Sequence, residues 1–256
     1  KQKFNKLIDY IEYEYVDPVD TDSIIENFID TVLQNLDPHS SYIPKQDLMS
    51  VTENMKGDFI GIGVRFYIYK DSIAVIRAIE GGPSFRAGIL AGDRILIADD
   101  DTLYGQNWSE SKVIERLRGE KNSKVQLKIK REGVDSLRNF EIIRSEVPIK
   151  SVVASYMINS TLGYIKINRF AESTYLEFEN NIEDLISKGA LNLVLDLRNN
   201  SGGFLQIAMQ IADEFLEDGK LILFTKNKTN KIDKSFATVK GRFEEAEVYV
   251  LINENS

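Results

Sequence analysis

The chain has 256 residues, 43% hydrophobic and 28% charged, and its 32 Lys and Arg against 40 Asp and Glu leave a net charge of −8. That length supports one large domain or two smaller ones with cores of their own, and an acidic balance with scattered cations carries no nucleic-acid footprint. The chain has no cysteine and one histidine, His39, which excludes disulfides, thiol nucleophiles and cysteine-bound metal and leaves little room for a zinc site or a Ser-His-Asp triad.

The first fifty residues read as helical. Phe4, Leu7, Ile8, Ile11 and Tyr15 follow helical spacing, and Asp17-Pro18 ends that element. Ser23 with Glu26 has capping-box spacing ahead of Ile24, Ile25, Phe28, Ile29, Val32, Leu33 and Leu36. Asp37-Pro38-His39-Ser40-Ser41-Tyr42 then reads as a turn.

From about Gly57 the apolar period changes to two. Ile73–Ile76, Arg94–Ile97 and Val125–Ile129 read as short strands, with a short helix at Pro83–Ala87 and a second at Ser109–Leu117 that turns Val113, Ile114 and Leu117 inward. Short strands with two small helices predict a compact barrel-like module over 57–146. Trp108, near the second helix start, reads as a core or interface anchor.

Pro148 marks the next boundary. Leu162–Ile167 is a strand, and Thr174 with Glu177 opens a helix whose Phe178, Ile182, Leu185 and Ile186 share a face and which Gly189 ends. Leu193–Leu197, apolar but for Asp196, reads as a parallel strand covered on both faces, and Phe204–Leu216 is a second amphipathic helix. This β-α-β-α order predicts an α/β unit over 147–256. The acidic runs Asp99-Asp100-Asp101 and Glu244-Glu245 read as solvated faces.

Three stretches carry chemistry. Gly61-Ile62-Gly63-Val64 precedes a strand, and such a loop can turn its amides toward a carboxylate, with the Val113–Leu117 helix as the opposite wall for an extended peptide; a simple strand-to-strand turn is the other reading. Asp196-Leu197-Arg198-Asn199-Asn200-Ser201-Gly202-Gly203 joins a buried strand to a helix start, where bare N–H groups and the positive helix end can stabilise an oxyanion; a packing turn is the alternative. Val248–Ile252 is strand-like and runs through Asn253-Glu254-Asn255 to Ser256, which places a hydroxyl at a strand end. Together the last two suggest a serine hydrolase site.

Gly61–Val64, Gly82-Pro83-Ser84-Phe85-Arg86-Ala87-Gly88-Ile89 and Ala91-Gly92-Asp93-Arg94-Ile95 resemble a PDZ domain, which implies binding of a protein C-terminal carboxylate at Gly61, Ile62, Gly63 and Val64. Asp196–Gly203, Asp37–Pro44 and Val250–Ser256 resemble three motifs of the carboxyl-terminal processing proteases, in the same order along the chain. The resemblance implies an α+β multidomain protein: a helical segment at 1–56, a PDZ domain at 57–146 and an α/β crotonase-like core at 147–256. It implies a serine peptidase with a Ser/Lys dyad that cleaves proteins near their free C-termini without metal or organic cofactor, in a bacterial envelope or periplasm. It places Gly202 or Gly203 in the oxyanion hole, and it makes Ser256 either the nucleophile or the residue bordering it. In the second case the serine stands two positions further on, the lysine further still, and these 256 residues alone are inactive. Ser201 stands where the family often has proline, and Asn255 where it has glycine. His39 reads as packing or capping. A homo-oligomer through the N-terminal helices fits the same resemblance. A non-catalytic PDZ scaffold with a degenerate core is the alternative. No apolar run approaches the roughly 20 residues of a membrane helix, and the chain begins at Lys1, which leaves room for a removed leader or anchor.

Overall fold

The computed structural model describes residues 2–37, 40–238 and 241–256. The chain divides into two compact units, Lys1–Thr52 and Glu53–Ser256. In the first, α1 (Gln2–Glu14) and α2 (Thr21–Gln34) meet through Phe4 and Phe28, whose rings stack at 4.5 Å. Asp20, not Ser23, caps α2: its carboxylate accepts the Ser23 N–H at 3.2 Å. A carboxylate directly before the first turn reaches the orphan amides and favours the positive helix end, so it displaces the later serine from that role. Beyond it, Asp37 accepts from the N–H and hydroxyl of Ser40, while His39 lies outside the described residues. A third helix, α3 (Lys45–Lys56), begins in this unit and ends in the next.

The second unit opens with β1 (Asp58–Gly61), β2 (Val64–Ile68), β3 (Ile73–Ala78), α4 (Pro83–Arg86), β4 (Arg94–Ala98) and β5 (Asp101–Thr102). It continues with α5 (Glu110–Leu117), β6 (Lys124–Lys130), β7 (Arg138–Ile143) and β8 (Ser145–Pro148). One sheet runs β2-β3-β4-β6-β7, with β5 on β4, and β1 pairs separately with β8. Alternation in β6, where Val125, Leu127 and Ile129 are buried and Lys124, Gln126 and Lys128 exposed, aims one face at a core that also takes Ile62, Ile95, Ile89 and Val113. Trp108 packs against the same core under Lys112. The sheet's first strand, β2, leaves one edge unpaired.

The remaining elements are β9 (Val152–Met157), β10 (Leu162–Ile167), α6 (Thr174–Ser187), β11 (Asn192–Asp196), α7 (Leu205–Asp213), the hairpin β12 (Leu221–Lys226) and β13 (Ile232–Phe236), and β14 (Val248–Leu251). Their main sheet has the order β14-β11-β10-β9, with β10, β11 and β14 parallel and β9 antiparallel. Phe178, Ile182 and Leu185 of α6 are fully buried against Ile165, Ile167, Leu193 and Ile211, each such side chain contributing about 1.5–3 kcal/mol of burial. Ile186, expected on the same face, is exposed; it lies at the edge of the stripe, on the side of Ile182 away from Phe178 and Leu185. Glu177 does not close a capping box on Thr174; its carboxylate accepts the N–H groups of Ser151 and Val152 at 2.8 and 3.0 Å and so anchors the start of β9.

Candidate active site and peptide groove

The strand end at Asp196 is held by charge. Asp196 is fully buried, and its carboxylate receives both Nε (3.0 Å) and Nη2 (2.7 Å) of Arg198, the Arg198 main-chain N–H (2.9 Å) and the Tyr164 hydroxyl (2.5 Å), with Lys166 Nζ at 3.7 Å. The Arg198 hydrogen bonds hold this carboxyl well below the usual range, outweighing the burial that opposes them. Burial, with the ionised Asp196 beside it, pushes the Tyr164 hydroxyl up.

Two asparagines and a glycine then shape the turn. Asn200 is buried; its Nδ2 donates to the Ile167 carbonyl at 3.1 Å and its Oδ1 accepts the Gly202 N–H at 2.9 Å. Asn199 sits in the left-handed region at φ +62° and bonds to Asn253 beyond β14. Gly203, at φ +143°, has its backbone pressed against Phe170, and an added Cβ would meet the Phe170 carbonyl oxygen at 2.3 Å. Flanking bonds from Phe170 N–H to the Gly202 carbonyl (2.9 Å) and from Phe204 N–H to the Phe170 carbonyl (2.8 Å) fix that approach.

The two sequence-predicted glycines therefore differ. The Gly202 N–H is already committed to Asn200, so in this conformation it is not a free donor, whereas the Gly203 N–H has no acceptor among the described residues. Gly203 lies just before α7, whose first turn has no side-chain cap. The Ser256 segment is tied to the same turn: the Ser256 hydroxyl donates to the Leu197 carbonyl at 2.8 Å and accepts the Asn253 N–H at 2.9 Å. Among the described residues no lysine or histidine contacts that hydroxyl.

The second site is a groove of about 250 Å³ between β2 and α5, lined by Phe59, Gly61–Phe66, Glu110, Ile114, Leu117 and Arg118. Its loop is built as an amide nest. The carbonyls of Ile62 and Gly63 turn inward to accept from Ser84 and Ile79, both at 2.9 Å, while the N–H groups of Ile62 and Gly63 have no acceptor among the described residues. Gly63 takes a φ of +73°, and an added Cβ would fit tightly, 3.2 Å from Val147 and 3.3 Å from Pro83. Leu117 lines this groove but Val113 does not: it is wholly buried in the domain core. At 3.6 residues per turn the groove stripe runs Glu110, Ile114, Leu117, Arg118, and Val113 falls on the inner face. Arg118 stands over the Phe59 ring at 5.1 Å and pairs with Glu53 at 2.7 Å, with its aliphatic stem beside Gly61. Ile114 was within reach of the helical period; the parts played by Phe59, Phe66 and Arg118 had no local signal.

A glycine turn at the C-terminal end of a parallel strand, beside a domain with an open β-edge and an amide nest, defines a PDZ domain joined to a hydrolase-type α/β core. Residues 61–142 match the PDZ domain and residues 161–256 match peptidase family S41, so the chain carries a PDZ domain on a peptidase family S41 core. It is similar to the carboxy-terminal-processing protease of Bartonella bacilliformis, 31% identical over 99% of this chain and 58% of that protein. It is also similar to the carboxy-terminal processing protease CtpA of Bacillus subtilis, 30% identical over 99% of this chain and 54% of that protein. The chain thus spans little more than half the length of these relatives. Among solved structures, the photosystem II D1 C-terminal processing protease is similar over all of this chain and 69% of its own, at 22% identity and a TM-score of 0.41, a likeness too loose to add to the sequence matches.

Proposed function

We propose that the protein is a serine peptidase that cleaves substrate proteins near their C-termini. The observation that carries this reading is the juxtaposition of the serine-bearing segment after β14 with the turn that holds the free Gly203 N–H. In this reading Gly203 donates to the tetrahedral oxyanion, and removal of one such donor costs about 10²–10³ in rate. Serine needs an adjacent base; the family motif supplies a lysine from beyond Ser256, kept neutral by burial, and puts the attacking serine two positions past Ser256, which borders it. The PDZ groove takes the substrate tail as an added strand on β2, its carboxylate on the Ile62 and Gly63 amides with Arg118 alongside.

The test is a peptidase assay of the full-length natural protein beside its serine-to-alanine variant, with binding of free-acid and amidated copies of one peptide to residues 57–146. Equal cleavage by enzyme and variant would discard the peptidase; equal affinity for acid and amide would discard the carboxylate nest. A cell-envelope location is part of the same proposal and rests on the resemblance. Self-association through the N-terminal helices rests on the exposure of Leu7, Tyr10, Tyr13, Phe28 and Val32. The second reading, a non-catalytic peptide-binding scaffold, is favoured by one observation: the Gly202 N–H and the Ser256 hydroxyl are both engaged internally.

A further inference from the structure

Asn199 and Asn253 lie 54 residues apart, yet meet as a two-bond amide pair: the Asn199 main-chain N–H donates to Asn253 Oδ1 at 2.8 Å, and Asn253 Nδ2 donates to Asn199 Oδ1 at 2.9 Å. The left-handed backbone of Asn199 accompanies this arrangement, its own N–H and side-chain carbonyl both serving Asn253. Asparagine tolerates that conformation better than other side chains. Asn255 Nδ2 adds a second donor to the same Asn199 oxygen at 3.2 Å. The Ser256 hydroxyl closes the assembly, bonded to the Leu197 carbonyl and to Asn253. The contacts to Asn199 and Leu197 join the exit of β14 to the turn between β11 and α7.

We propose that the Asn199–Asn253 pair is a positioning clamp that sets the serine-bearing segment against the glycine turn, and that turnover depends on it. The proposal rests on the peptidase reading. The parallel pairing of β11 with β14 ends at Asp196 opposite Leu251, with one further bond from the Leu197 N–H to the Leu251 carbonyl. Past that point the ladder stops, and among the described residues the hydrogen bonds that join the two segments all involve side chains. Attack on a carbonyl needs nucleophile and oxyanion donor fixed together, and a displacement of about 1 Å costs about 10²-fold. The Asp196–Arg198 network holds one side of the site and cannot hold the other, since all its partners lie on β10, β11 and the turn. The clamp requires a donor on residue 253 and an acceptor on residue 199.

The substitutions separate this role from general stability. Asn199→Gly keeps the left-handed turn and removes the acceptor. Asn199→Asp restores an acceptor oxygen. Asn253→Asp removes the donor and sets a carboxylate against the Asn199 oxygen. In the full-length natural protein, at a temperature where all variants give wild-type circular dichroism, Asn199→Gly and Asn253→Asp should each lower kcat about 10–100-fold with KM within about twofold. Asn199→Asp should recover most of the turnover that the glycine variant loses. Unchanged kcat in the first two variants, a loss confined to KM, or Asn199→Asp as slow as Asn199→Gly overturns the proposal. A second readout is independent of activity: in this chain Asn253→Ala should speed hydrogen exchange at the Asn199 amide by about tenfold or more, since its acceptor is gone. No acceleration overturns the clamp itself. Wild-type protein that cleaves no peptide overturns the peptidase reading, and with it the dependence of turnover on the pair, while the exchange result still decides whether the clamp exists.

Discussion

Gly203→Ala is the sharpest test of how the oxyanion turn is built. The new methyl would lie 2.3 Å from the Phe170 carbonyl oxygen, 2.8 Å from its carbon and 2.9 Å from the Phe170 nitrogen, all backbone atoms that no rotamer change can move. A carbon needs roughly 3.5 Å of clearance, so the two segments must part by roughly 1 Å. That strains the bonds from Phe170 to Gly202 and from Phe204 to Phe170, worth about 0.5–1.5 kcal/mol each. Overpacking adds about 1–3 kcal/mol, and alanine at φ +143° adds a comparable strain. The total is about 3–9 kcal/mol. Gly202→Ala is the internal control. At φ +101° it carries strain, but no atom lies within 4 Å of its Cβ position, so it costs about 1–3 kcal/mol. Native-state hydrogen exchange of the β10 and β11 amides reads both variants under one condition. Gly203→Ala should accelerate the slowest amides at least about tenfold more than Gly202→Ala, since each 1.4 kcal/mol is a factor of about ten. Equal acceleration, or a larger effect at Gly202, would refute the close-approach argument.

Other predictions concern different parts of the molecule. Asp196→Asn should destabilise the core by about 1–3 kcal/mol, because the buried carboxamide cannot accept all the hydrogen bonds that the carboxylate takes from Arg198 and Tyr164, measured by urea unfolding. The pH dependence has a definite sign. The folded Asp196 pKa is depressed, so its contribution is present above the unfolded value of about 4 and is lost as pH falls below it. Wild-type stability should therefore drop more steeply than that of Asp196→Asn between about pH 5 and 3; parallel curves would count against the pairing. In the PDZ domain, Val113→Ala should lower stability by about 1–3 kcal/mol with peptide affinity unchanged in the folded fraction. Ile114→Ala should do the reverse, weakening binding of a peptide with an apolar C-terminal residue several-fold with little loss of stability. Calorimetric titration beside thermal melting separates the two, and an exchange of roles would place the groove on the wrong helix face.

Much of this arrangement was legible from local pattern. The period-two run of β6, the apolar Leu193–Leu195 stretch and the helical face of Phe178, Ile182 and Leu185 all read directly into elements, because burial of one face follows from side-chain period alone. The glycine motifs were legible for a related reason: positive φ and close backbone approach admit few other residues, so Gly63 and Gly203 mark their own geometry. Where two readings of one pattern compete, local signal fails. Val113 and Ile114 are both apolar neighbours on one helix, and only the position of the β2 edge decides which meets the groove. Asp20 displaced Ser23 as a cap for an equally local reason, a better-placed carboxylate three residues earlier.

The order of motifs along the chain, a PDZ pattern followed by a strand, glycine turn and helix, was determined by the sequence by itself, since each is a short-range demand of backbone geometry. Tertiary structure alone decided which glycine N–H stays free, which side of α5 faces the groove, and that Asn199 reaches across to Asn253. Those outcomes depend on hydrogen-bond partners tens of residues away, and a donor's availability is set by whatever folding places beside it, not by its neighbours in the chain.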